Sequence, residues 1–271
     1  MAAIRVLVTG CNGFVGKNLI GYLSNNGFNV FGWDYTPNKD EWPCVRSYDW
    51  VIHLGALVDL QTQDTEALLH HNLDFSQWLF NECKKWETNF QYASCSSGYG
   101  NGPDFSEHAI CKPLSPYAWS KYLFDRWVFL QEHNVIVQGI RYFEVYGDGD
   151  GSKGEHASIV HKLMKQVPRG YIEIDRTEAK QKRDFVWVGD VCQLHIDMLN
   201  TVKGSGIWNC GSGRSHSIQD IAFAIASSNE IDVRYVDNAT ARKPNITANL
   251  SHLKETIGSR QWEDVIEWIW R

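Results

Sequence analysis

The sequence predicts an α/β fold, a doubly wound parallel sheet with a smaller, mixed α/β domain toward the C-terminus. Three observations carry that expectation. Short apolar or β-branched runs alternate with helix-patterned segments from Ile4 to Arg141. A glycine-spaced turn, Gly10-Cys-Asn-Gly13-Phe-Val-Gly16, separates the first run from the first helical pattern. Beyond Tyr146 the rhythm breaks into shorter elements.

Residues 4–9 form the first expected strand, and 14–23 the helix after the glycines. Residues 29–33 are a second strand, ending at Asp34, and 50–54 a third. Over 64–86, Leu68, Leu69, Phe75, Trp78, Leu79 and Phe80 recur near helical spacing, which predicts one long helix. Residues 90–93 are a strand. Pro116 opens a helix to about residue 132, at the position where its missing N–H costs nothing. Residues 135–141 follow as a strand. Such alternation implies right-handed crossovers and a parallel sheet covered on both faces. The glycine-rich, charged stretch GDGDGSKGEH is expected to be a mobile loop. Helices are expected near 159–166, 190–199, 218–227 and 262–270.

The 271 residues suffice for one large or two modest domains at about 150 residues each. Apolar residues at 43% and charged residues at 21% suit a folded globular chain and exclude a disordered one. A net charge of −6 gives no electrostatic footprint for nucleic acid. No apolar run approaches the roughly 20 residues of a membrane span. MAAIRVLVTG lacks the regions of a signal peptide, so a cytoplasmic location is expected. Seven cysteines without a CxxC pair suit reduced thiols. Ten histidines without HExxH or similar spacing give no expectation of a metal.

The glycine triplet sits where a Rossmann-type dinucleotide fold needs it. Gly10 permits the tight turn, Gly13 lets backbone approach a pyrophosphate, and Gly16 lets helix and strand pack closely. The helix N-terminus, from Asn12 through Phe14 and Val15, offers N–H groups and a positive dipole end. Asp34, ending the second strand, suits a ribose 2′-OH and repels a 2′-phosphate, which favours NAD over NADP without excluding NADP. Lys39 is either a solvated loop charge or a phosphate partner. Tyr117 and Lys121 stand at i and i+4 on one helix face, where the ammonium is expected to lower the phenol pKa and make Tyr117 a base.

Together these segments, VTGCNGFVG, DWVIHLGA, YASCSSGYG, SPYAWSKYLFD, GIRYFEVYG and KRDFVWVGDV, resemble the extended short-chain dehydrogenase/reductase family of nucleotide-sugar epimerases and dehydratases. RYFEVYGDGDGSKGEHAS and QKRDFVWVGDV are most similar to its heptose 6-epimerase branch. The resemblance covers nearly the whole chain. It implies a dinucleotide-binding domain over 1–146, with a returning segment near 184–210, and a mainly substrate-binding domain over 147–271. Leu54, Gly55, Ala56 and Asn72 would line the cofactor. Lys121 would also reach the nicotinamide ribose. Lys153 would be a second acid/base on the opposite sugar face, or else a mobile surface lysine. Arg183 and Arg242 would bind the sugar-nucleotide diphosphate, since a guanidinium fork suits phosphate oxygens. A homodimer through the two long helices is also implied.

Three departures qualify the resemblance. Cys95 stands where the family places the Ser or Thr that bonds the reacting oxygen, and a thiol is a weaker donor and acceptor. Either Ser94 or Ser96 shifts in, or turnover is slow. Glu144 replaces an asparagine, so it either turns away from a diphosphate or recognises a different group. Residues 34–51 leave little room for a third βα unit. Ser96 and Ser97 replace the acidic pair of the dehydratases, which argues against dehydration. The expected function is NAD-dependent epimerisation of a nucleotide-activated sugar, by transient oxidation to a ketone and return of the hydride. An NADPH-dependent reductase and a non-catalytic dinucleotide-binding module are the alternatives.

Overall fold

The structure, a computed structural model, describes residues 3–58, 64–238 and 245–271. In chain order the first part holds β1 (Arg5–Thr9), α1 (Phe14–Asn25), β2 (Asn29–Trp33), β3 (Trp50–His53), α2 (Thr65–Leu69), α3 (Phe75–Lys85), β4 (Asn89–Cys95), α4 (Pro116–Val128) and β5 (Val137–Tyr142). There follow β6 (Glu144–Tyr146), α5 (Ile159–Met164), β7 (Tyr171–Asp175), β8 (Lys182–Trp187), α6 (Val188–Thr201), β9 (Gly206–Cys210), β10 (Ser215–Ser217), α7 (Ile218–Ser228), β11 (Asp232–Val236), α8 (Ser251–Ile257) and α9 (Val265–Ile269).

Six strands form one parallel sheet in the order β2-β1-β3-β4-β5-β9. The alternation in β1 shows why both faces are covered. Val6 and Val8 join a core with Leu19 and Leu23 of α1 and Val191 and Leu194 of α6. Leu7 points the other way, into a core with Leu79 and Phe80 of α3 and Phe124 and Val128 of α4. A strand apolar on both faces is stable only between two helical layers. The α/β expectation therefore holds.

Residues 34–49 contain a single 3-10 turn, Lys39–Glu41, so β2 is the sheet edge and no third βα unit is formed there. The helix expected over 64–86 is interrupted by a π turn, His70–Asp74, between α2 and α3. The wider turn directs Asn72 inward, where it is fully buried. Past β5 the chain builds two small sheets, β10-β8-β6 and β11-β7, over a third core that includes Tyr146, Phe185, Ile221 and Val265. It returns to the main sheet through α6, which packs on α1, and β9. β8 stays with the small sheet.

Candidate active site

The turn between β1 and α1 is shaped by missing side chains. Gly10 has φ +74°, and a Cβ there would lie 2.5 Å from the Gly55 nitrogen. At Gly16 a Cβ would meet the Gly10 carbonyl oxygen at 2.2 Å. Gly13 caps α1 without a side-chain bond, and no acidic residue occupies the first turn. The N–H groups at Phe14 and Val15 are thereby left to an anion. Asp34 accepts from the Asn12 N–H at 3.1 Å and the Tyr35 N–H at 2.9 Å. So Asn12 orients Asp34, and the half-buried carboxylate keeps further lone pairs for a ribose diol. A cavity of about 140 Å³ opens here between Gly10, Asp34, Gly55, Ala56 and Leu57. A glycine cradle, an uncapped helix start and a fixed carboxylate fit the two phosphates and a ribose of a dinucleotide. Leu54 bonds Thr9 and continues the wall. Lys39 lies over the Trp42 ring, 5.5 Å from its centroid.

Asn72 corrects one expectation. Its Oδ1 accepts from the Leu57 N–H at 2.8 Å, and its Nδ2 donates to the Leu57 carbonyl and the Ser120 hydroxyl, each at 3.0 Å. The amide is committed to clamping the 54–57 loop against α4 and does not present itself to a cofactor.

On α4, the Ser115 hydroxyl accepts from the Ala118 N–H and Pro116 occupies the first turn. This start places Tyr117, half-buried, at the end of β4, where Cys95 stands. Burial, with Cys95 beside the hydroxyl, pushes the Tyr117 phenol well above 10. Lys121, buried to 5% exposure, is pushed below its usual range by burial, opposed by Asp125 and Cys95. The expected lowering of the tyrosine by the lysine is thus reversed among these side chains, because desolvation outweighs the ammonium. Burial also raises the Cys95 thiol, so the group beside Tyr117 is a thiol rather than a thiolate.

The hydroxyl at the sulfur is that of Ser97, with Oγ 2.9 Å from Cys95 Sγ and its N–H donating to the sulfur at 3.3 Å. Ser94 is corrected: it is buried on the opposite side of β4 and donates to Asp125 at 2.9 Å. Tyr92 and Arg141 bond the same carboxylate. Ser96 is half-buried at the start of the 3-10 turn Ser96–Tyr99. Sequence alone marks Ser97 only as a replacement for an acidic residue of the dehydratases and does not place it beside Cys95. The signal for it is the i, i+2 spacing from Cys95 across a glycine-ended tight turn.

The far rim comes from the second half. Glu144, which lies within electrostatic reach of Cys95, pairs with Arg183 at 3.4 Å across β6 and β8. Each answers the other's charge, so Glu144 leans on Arg183 and does not stand as an isolated carboxylate. Arg242 lies outside the described residues. The expected mobile loop is instead folded: Asp150–His156 forms 3-10 turns on either side of a kink at Gly154 (φ +56°), and Asp150 is buried. The Asp150 carboxylate accepts from the Ser158 N–H at 3.1 Å and from its hydroxyl. Lys153 pairs with Asp150 at 2.6 Å, its ammonium 4.7 Å from the Phe14 ring centroid. It is therefore anchored between the cofactor turn and β6, not free on the surface. Asp184, buried beside Arg183, accepts from the N–H groups of Ser212, Gly213 and Ala248.

A glycine cradle and a Tyr–Lys–Cys cluster at the carboxyl end of one parallel sheet define a dinucleotide-dependent enzyme of the short-chain dehydrogenase/reductase type. The chain belongs to the NAD dependent epimerase/dehydratase family, which matches over residues 6–211. It is 32% identical to an ADP-L-glycero-D-manno-heptose-6-epimerase of Cupriavidus pinatubonensis, over 83% of this chain and 78% of that one. The fold is shared with the crystal structure of the Helicobacter pylori ADP-L-glycero-D-manno-heptose-6-epimerase (TM-score 0.87, 21% identity, 99% and 94% of the two chains). A UDP-N-acetylglucosamine 4-epimerase of Methanobrevibacter ruminantium, in complex with UDP-N-acetylmuramic acid, is equally similar in fold (TM-score 0.88, 24% identity, 100% and 97%).

Proposed function

We propose that the protein is an NAD-dependent epimerase of a nucleotide-activated sugar. The observation that carries this is the pairing of a Gly10–Asp34 cradle with Tyr117 and Lys121 one helical turn apart on α4, beside Cys95 at the end of β4. NAD, when bound, supplies the acceptor and then the donor of one hydride, so it is regenerated in each cycle. Tyr117 takes the proton of the sugar hydroxyl and returns it. Lys121, a helical turn on, stabilises the phenolate that this requires. Lys153, on the other rim, serves as acid/base on the opposite face, and Arg183 with Arg242 holds the diphosphate. Binding energy from the nucleotide holds the sugar while its two faces are exchanged. The heptose-epimerase relatives make an ADP-activated heptose the first substrate to try.

We further propose that residues 1–146, with a return near 184–210, bind the dinucleotide and that 147–271 mainly bind the sugar nucleotide. A homodimer would cover the apolar surface left on and beside α4, where Ile110, Leu114, Trp119, Leu123 and Leu130 are exposed. Trp78 and Trp127 pack inside the monomer. No helix of the described residues is long and apolar enough to cross a membrane, and a cytoplasmic location is proposed.

The test begins with the purified protein, denatured, its released dinucleotide identified by mass spectrometry. NAD near one per chain is expected, with Tyr117→Phe abolishing turnover while keeping the dinucleotide. Released NADP would favour a reductase. No dinucleotide under any loading, or full activity in Tyr117→Phe, overturns the proposal.

A further inference from the structure

The thiol at position 95 leaves a question for catalysis. A hydroxyl there could donate to the reacting oxygen while accepting from its neighbours; a thiol does both weakly. The side chains around it show how the deficit is met. Cys95 ends β4 in extended conformation, and the chain then turns at once into Ser96–Tyr99. That turn lays Ser97 back over the sulfur. The sulfur accepts from the Ser97 N–H at 3.3 Å and stands against the Tyr117 phenol. The Ser97 oxygen lies 2.9 Å from the sulfur, a pair in which either atom can be the donor. A hydroxyl that accepts from the thiol keeps its own O–H to give. Ser97 is half-buried, so such an O–H is not sealed inside the core. Ser94 cannot take this part, because its hydroxyl is held by Asp125 on the other face of the strand.

We infer that Ser97 is a further catalytic residue, its hydroxyl set by Cys95 to donate the hydrogen bond to the reacting sugar oxygen that the thiol cannot supply. The inference rests on the epimerase reading above. No proton passes through Ser97; it stabilises the oxygen on which negative charge gathers while Tyr117 carries the proton.

The test compares wild type, Ser97→Ala, Cys95→Ser and the double variant, with inversion of ADP-L-glycero-D-manno-heptose followed by NMR. Ser97→Ala should lower kcat by about 100-fold, the scale of one lost donor to a developing oxyanion, with KM little changed. In the Cys95→Ser background the same change should cost no more than about threefold, because the restored hydroxyl takes over. If Ser97 only shapes the turn, its loss will cost the same in both backgrounds, and the inference fails.

A second measurement needs no substrate. The S–H stretching band of Cys95, assigned by its disappearance in Cys95→Ser, should lie low in wild type and move up in Ser97→Ala. A band that stays in place shows that the thiol does not donate to Ser97 and overturns the arrangement. Activity surviving in Tyr117→Phe would instead refute the epimerase reading, and the infrared result would still judge the Cys95–Ser97 pair.

Discussion

Two glycine-rich segments frame the site, 10–16 and 147–158, and they are held in shape by opposite means. In the first, backbone packs on backbone: the Gly13 N–H donates to the Gly10 carbonyl at 3.1 Å, and Gly10 passes within contact of Gly55. In the second, side chains hold the fold. Asp150 gathers Ser158 and Lys153, and Asn18 of α1 donates to the Asp148 carbonyl at 3.2 Å. Glycine gives conformational freedom to both. What removes that freedom is backbone contact in one segment and side-chain bonding in the other.

The largest effect should come from breaking the first. Gly10→Ala places a Cβ 2.5 Å from the Gly55 nitrogen at φ +74°, so β1 and the 54–57 loop must part. A loss of more than about 3 kcal/mol is expected, together with loss of bound dinucleotide. A denaturant titration and mass spectrometry of the released cofactor check both. Wild-type behaviour in the two assays would refute the account of backbone packing.

Acid should act next, and on the same side. Thr9 Oγ1, immediately before Gly10, bonds His53 Nδ1 at 2.7 Å, and His53 Nε2 meets the Ser76 hydroxyl at 2.8 Å. Burial, reinforced by Lys121, pushes His53 down to about 3. Between its unfolded value near 6.5 and that value, the unfolded chain binds the extra proton, so stability is present above pH 6.5 and falls with pH below it. At pH 5 the loss is about 2 kcal/mol, from 1.5 pH units at about 1.4 kcal/mol each. His195, also pushed to about 3 by burial, adds to the slope. Stability measured from pH 7 to 5 should therefore fall. A flat profile would mean that these imidazoles are not buried neutral.

The same contrast explains what the sequence disclosed. The strand–helix alternation, the glycine triplet, and Tyr117 four residues before Lys121 are each set by spacings of a few residues, and periodicity reports such spacings directly. The clamp of Asn72 on Leu57 spans 15 residues and depends on a π turn that periodicity does not mark. Ser94 meets Asp125 across 31 residues, and Glu144 meets Arg183 across 39. Which polar side chain faces the cleft is decided by those partners. Ser94 and Ser97 are indistinguishable by residue type, yet one is bound behind the strand and the other beside the sulfur.

Asp150→Asn should loosen the second segment while leaving the first intact. The carboxylate is buried and holds Lys153 at 2.6 Å, but the ammonium is 27% exposed and can return to water. The expected cost is about 1–2 kcal/mol, with dinucleotide content unchanged. Loss of the cofactor in this variant would show that the two segments are one unit.

The smallest effect sharpens the comparison most. Gly149 has φ +89°, the same sign as Gly10, yet a Cβ there would meet only Asn18 and Phe14, each at 3.8 Å, ordinary contact distances. Gly149→Ala therefore isolates the conformational penalty from the packing penalty. The left-handed backbone costs an L-residue about 1–2 kcal/mol, and the stiffer unfolded chain offsets about 0.4–1 kcal/mol of it. A net loss of about 1 kcal/mol or less is expected from parallel denaturant titrations of the two alanine variants. A loss matching that of Gly10→Ala would place the whole effect in positive φ, and the contact with Gly55 would then carry no weight in shaping the cofactor turn.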